Sequence, residues 1–95
     1  MFLDYELLQD KAECSGADET VGELPTLDEC ASACKTKTSL FVYGRQGTER
    51  CSGGKCRCKC VTDSLDGECT GNRKEEPKYA LFKYKKGKRE FITSQ

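Results

Sequence analysis

The 95-residue chain has no histidine. That removes the commonest metal ligand and acid–base residue, and with it any Ser/His or Cys/His nucleophile pair. Apolar residues are scarce as well. Cysteine included, they make up 36% of the chain against 34% charged, a thin supply for a conventional core. No stretch approaches the roughly 20 apolar residues that a membrane-crossing helix needs, so no membrane insertion is expected. The start, Met1 to Glu6, has no basic residue, and Asp4 and Glu6 interrupt any apolar run. No secretory signal is read there, and a mature form or an excised domain with an added methionine is expected. Carboxylates are plentiful but sit in acid-rich stretches with no sign of a buried pair. Gly53-Gly54 reads as a turn, without the lysine–serine tail of a phosphate loop. No catalytic constellation and no cofactor is expected.

Cysteine is what the chain has in excess. There are eight, Cys14, Cys30, Cys34, Cys51, Cys56, Cys58, Cys60 and Cys69. An even count in a short chain points to a disulfide framework and an oxidising compartment, hence to a secreted, extracellular protein. Four crosslinks, each worth roughly 2–4 kcal/mol though not additively, could supply what the core lacks. The size suits one domain, with residues 1–86 as the disulfide-rich body and 87–95 as a charged tail.

Two stretches organise the rest. Thr26 with Glu29 three residues on forms a capping box, and Asp28 and Glu29 suit the positive end of a helix dipole. The spacing predicts a helix over 27–36, with Leu27, Cys30, Ala31 and Cys34 on one face. Cys30 and Cys34 cannot bond to each other: their Cβ atoms would be roughly 5–6 Å apart, and a disulfide needs about 3.5–4.5 Å. In Cys56-Arg-Cys-Lys-Cys60 a two-residue period puts three sulfurs on one side of a strand and Arg57 and Lys59 on the other. That predicts a disulfide face inward and a basic face outward. A metal cluster of the metallothionein kind is the lesser reading of this run, since structural zinc favours Cys-x(2–4)-Cys pairs and histidine is lacking.

Elsewhere, Phe2 to Leu8 predicts a strand with Leu3, Tyr5 and Leu7 inward. Gln9 to Glu23 reads as a long polar loop tied down by Cys14. Ser39 to Tyr43 is a strand, Gly44 to Gly47 a turn, and Cys51 to Cys56 a tight reversal. Thr62 to Lys74 reads as loop, Tyr79 to Tyr84 as a closing strand and Lys85 to Gln95 as a tail.

Zero net charge hides a gradient. Residues 1–30 carry a net −8, residues 31–70 a net +3 and residues 71–95 a net +5. One reading is a basic face for polyanions, built from Arg57, Lys59, Lys83, Lys85, Lys86, Lys88 and Arg89, joined by Arg73, Lys74 and Lys78. The other is that the acidic and basic ends attract one another across the fold.

The order of these parts resembles the PAN/apple domain family. The residues that carry it are Leu27, Glu29, Cys30 and Cys34, then Phe41 and Tyr43, then Cys56, Cys58 and Cys60, with Cys14, Cys69 and Tyr79 to Tyr84 completing it. The chain departs from the family where Ser39 and Leu40 stand in place of a cysteine before the Phe-x-Tyr strand. The resemblance implies an α+β fold, a small disulfide-rich domain whose antiparallel sheet cradles one helix. Its outer bridge would map to Cys14–Cys69, and the accompanying pairing expected is Cys30–Cys60, Cys34–Cys58 and Cys51–Cys56. The family implies a non-catalytic recognition module whose partner is an extracellular glycan or protein, with no nucleic acid. A small secreted effector, a toxin or a protease inhibitor presenting Arg45 or Arg50, is a second class, and a structural matrix component a third.

Overall fold

A computed structural model describes residues 4–85. Nine elements follow in order: β1 (Tyr5–Cys14), β2 (Glu19–Leu24), α1 (Leu27–Cys34), β3 (Leu40–Gly44), β4 (Cys51–Ser52), β5 (Lys55–Cys60), β6 (Ser64–Leu65), β7 (Glu68–Cys69) and β8 (Arg73–Tyr84). The main sheet runs β1-β8-β3-β5-β2, with β4 beside β5, and β6 and β7 form a separate small ladder. Every pairing is antiparallel. The protein is a small disulfide-rich domain, mostly antiparallel sheet, with one helix.

The helix forms where its cap predicts. Thr26 is extended, and its Oγ1 accepts the Glu29 N–H at 3.1 Å. It ends at Cys34, two residues short of the expected limit. The Cys34 carbonyl accepts from the N–H groups of Lys37 and Thr38 at 3.0 and 3.1 Å, and β-branched Thr36 and Thr38 favour leaving the helix there.

Both faces of the sheet are covered. Leu40 to Val42 of β3 are almost wholly buried, as a strand sandwiched on both sides must be. On one face Cys30, Ala31 and Cys34 of α1 pack with Phe41, Cys58 and Cys60, flanked by Tyr5, Leu24, Leu27, Tyr43, Phe82 and Tyr84. On the other, Leu40, Val42, Val61, Tyr79 and Leu81 meet Ala12, Cys14 and Cys69, with Leu8 alongside. The thin apolar supply is thus split into two small clusters, each closed by sulfur.

The bridges are Cys14–Cys69, Cys30–Cys58, Cys34–Cys60 and Cys51–Cys56. The outer and hairpin pairs match expectation. The two helix bridges are exchanged relative to the expected Cys30–Cys60 and Cys34–Cys58, and direction explains this. β2 runs antiparallel to β5, with Leu24 opposite Cys56. The chain reverses at Pro25, so α1 runs back along the direction of β5. Four helical residues rise about 6 Å and two strand residues about 6.6 Å, so the bridges lie side by side without crossing. As the helix and strand spacings require, no bond joins Cys30 to Cys34 or neighbours among Cys56, Cys58 and Cys60.

Three further expectations are corrected. Most of the stretch taken as a loop over 9–23 is strand: β1 continues to Cys14 and β2 begins at Glu19. Part of the loop expected over 62–74 is the β6–β7 ladder and the start of β8. Leu7, expected inward, is 54% exposed, while Leu8 packs on a cluster. A register shift between Leu7 and Gln9 breaks the simple alternation. Leu3 lies outside the described residues.

Two turns depend on glycine. Gly53 and Gly54 both have positive φ, 63° and 82°, which a two-residue hairpin loop with the twist of its strands demands. A Cβ on Gly44 would stand 2.8 Å from the Arg50 carbonyl oxygen, so only glycine lets those segments meet.

On the helix face the Tyr5 hydroxyl donates to Asp28 Oδ1, and partial burial, with that carboxylate beside it, pushes the phenol up to about 12. Tyr84 donates to the Ala31 carbonyl and is raised too, first by burial and then by Tyr5. The folded phenols keep a proton that the unfolded chain releases near pH 10. Their stabilisation is therefore complete below about pH 10 and is lost as pH rises above it, for Tyr5 through about 12. The thermal midpoint should fall across that window, and Tyr5→Phe should flatten the fall. An unchanged slope in the variant would remove Tyr5 as a cause.

Candidate interaction surface

Arg57, Lys59 and Lys83 lie on one face of the sheet, as side-chain alternation along β5 and β8 requires. Across the ladders, Lys59 is in line with Val42 and Leu81, and Lys83 with Leu40. β3 therefore separates β5 from β8, which sets those two strands roughly 10 Å apart. Between them stands the second apolar cluster, so the cations flank a core.

Each of these cations meets a carboxylate. Arg57 Nε is 3.2 Å from Glu23 Oε2. Lys59 Nζ is 3.4 Å from Glu13 Oε1 and 3.3 Å from Asp18 Oδ2. Lys83 Nζ is 3.6 Å from Glu6 Oε2, and Lys85 Nζ 4.0 Å from Asp4 Oδ1. Arg73 grips Glu68 with two contacts of 2.9 and 2.7 Å, Lys74 reaches Glu13 at 3.5 Å and Lys78 pairs with Glu49. Lys86, Lys88 and Arg89 lie outside the described residues. The acidic N-terminal third thus neutralises most of the described basic positions by crossing the fold, the second of the two readings of the charge gradient.

Lys59 corrects the expected outward basic face most sharply. Its side chain is only 15% exposed and its ammonium lies 4.5 Å from the centre of the Tyr79 ring. Burial alone would lower its pKa, but Tyr79, Asp18 and Glu13 together raise it. The face opposite the sulfurs is a second interior, and Lys59 is a half-buried tie between β5, β1 and the β1–β2 connection. Sequence reasoning missed Glu13, Asp18 and Tyr79 as its partners, although the excess of acid before Cys30 was the signal for such pairs.

Loop cations serve the frame as well. Arg45 is held by Asp10 at 3.0 Å and the Pro77 carbonyl at 2.9 Å. Arg50 lies 5.8 Å over Tyr79 with its Nε buried. Neither projects as a protease-substrate mimic would. Lys11, Lys35 and Lys55 have no ion pair among the described residues, and they stand apart, in β1, at the C-cap of α1 and at the β4–β5 tip.

The sulfurs of Cys30, Cys34 and Cys58 lie within 4.8 Å of one another. They are bonded as Cys30–Cys58 and Cys34–Cys60, and no cysteine is free. A disulfide sulfur is not the thiolate that binds a metal. Among the described residues no helix is long and apolar enough to cross a membrane.

Compared with protein-family models, curated proteins and solved structures, the chain matches none.

Proposed function

We propose that this chain is a non-catalytic extracellular recognition module of the PAN/apple kind, its sheet cradling the helix, and that it binds a matrix or cell-surface glycan or protein. The observation that carries this reading is a frame closed by four disulfides whose sheet-borne cations are paired internally. Such a frame suits an oxidising, protease-rich setting and leaves recognition to loops, strand edges and the C-terminal basic run. The lack of histidine and the consumption of every thiol support a non-catalytic role. Polyanion binding belongs to Lys86, Lys88 and Arg89, because Arg57, Lys59, Lys83 and Lys85 already meet carboxylates.

Heparin resin tests this. Replacing Lys86, Lys88 and Arg89 by glutamine should make the protein elute at lower salt, while Arg57→Gln and Lys83→Gln should leave elution almost unchanged. Failure of the parent protein to bind at low salt would sink the glycan version and leave a protein partner.

A further inference from the structure

Seven of the eight cysteines are buried, and Cys51 alone is partly exposed. It lies directly opposite Cys56 in the β4–β5 hairpin, at the end carrying the exposed turn Gly53-Gly54. Their ring is the smallest of the four, with a sequence separation of 5 against 26, 28 and 55. A small ring contributes least to the stability of the fold. Cys56 is 1% exposed yet belongs to neither apolar cluster, and β4 pairs only with β5. Opening this bond therefore removes nothing from either core. Gln46 Nε2 donates to Cys56 Sγ at 3.5 Å, and a hydrogen bond donated to a sulfur favours negative charge on it.

We propose that Cys51–Cys56 is a thiol–disulfide exchange site, opened at Cys51 by a dithiol reductant while the other three bridges stay closed. One thiolate of the reductant attacks Cys51 Sγ. The Cys51–Cys56 bond breaks, its electron pair stays on Cys56 Sγ, and that thiolate takes a proton from water. The reductant's second thiolate then attacks its own sulfur in the mixed disulfide and releases Cys51, which is protonated in turn. The dithiol leaves oxidised as a disulfide, and the protein gains two thiols. Accessibility selects the sulfur that is attacked, and the stabilised thiolate at Cys56 makes the better leaving group. This inference does not depend on what the module binds.

The test is titration of the native protein with dithiothreitol, with quenching by iodoacetamide and peptide mass mapping. Cys51 and Cys56 should be labelled at a reductant concentration at least about ten-fold below that needed for the other six cysteines, as expected for an accessible bond beside buried ones. Opening of all four bridges together, or of Cys14–Cys69 first, would overturn the proposal. Glutathione, which forms an adduct without closing a ring on itself, should be trapped on Cys51; an adduct on Cys56 refutes it. Gln46→Ala should slow opening several-fold, and an unchanged rate overturns Cys56 as the leaving group. The Cys51→Ala, Cys56→Ala double variant should keep its near-ultraviolet circular dichroism, and loss of that spectrum overturns the claim that the fold is independent of this bond.

Discussion

Replacing Cys14 and Cys69 together by alanine should lower unfolding stability by about 3.5 kcal/mol, more than removal of any other single bridge. With the helix bridges still closed, the shortest covalent circuit through this bond runs from Cys14 to Cys30, across to Cys58 and on to Cys69. It spans about 29 residues, and loss of chain entropy on closing such a ring gives the figure. The helix bridges protect one another. With Cys34–Cys60 intact, Cys30–Cys58 closes a ring of only about eight residues, worth about 2.5 kcal/mol on the same account. The hairpin bond Cys51–Cys56 comes to about 2 kcal/mol. Urea unfolding of the three paired-alanine variants, without reductant, measures this order. The entropic account fails if the Cys51, Cys56 variant loses as much as the Cys14, Cys69 variant.

That order depends on a connectivity of which only part was legible in the residues. The two sulfur faces were, because Cys30 with Cys34 and Cys56 with Cys58 and Cys60 repeat at the periods of a helix and a strand. Their partner-by-partner match was not, since it turns on the direction of α1 relative to β5. That direction is set by β2, and Glu19 to Leu24 carries only Val21 and Leu24 as apolar residues, so nothing in its composition announces a strand. It is one because its main chain pairs with β5, while Glu19 meets Lys37 at 3.4 Å and Glu23 meets Arg57 at 3.2 Å. The second half of β1 was hidden for the same reason. Asp10, Lys11 and Glu13 look like loop, yet Asp10 and Glu13 lie opposite Ala80 and Lys74 of β8.

The candidate site was misread through the same omission. A strand with alternating cysteine and cation was taken to have one wet face. Once the far half of β1 and Cys69 fold over that side, Lys59 is enclosed and needs Glu13 and Asp18. Four apolar residues in a row at Leu40 to Tyr43 carried the warning, because a strand with water on one face alternates and a doubly covered one does not.

Phe41→Ala should be the most damaging single substitution in the described core, at about 3–5 kcal/mol, the range for emptying a buried aromatic site. Phe41 is 0% exposed in β3, the middle strand of the main sheet. Its ring stacks on Phe82 at 5.2 Å between centroids, meets Tyr84 at 5.1 Å and takes Tyr5 edge-on at 5.5 Å. Those neighbours come from β1 and β8, while Cys58, Cys60 and the helix sulfurs close the other side. The bridges beneath hold the backbone in place, so the site cannot easily collapse on the lost ring, and poor collapse is what carries such substitutions toward the upper end of their range. Tyr5 and Tyr84 would lose the contact that orients their hydroxyls toward Asp28 and Ala31, so the near-ultraviolet tyrosine signal should weaken along with the thermal midpoint. Leu7→Ala is the control. At 54% exposure it should change stability by no more than about 0.5 kcal/mol. A Leu7 loss rivalling that of Phe41 would mean that β1 turns its other side to the core and that the bulge after Leu7 is misplaced.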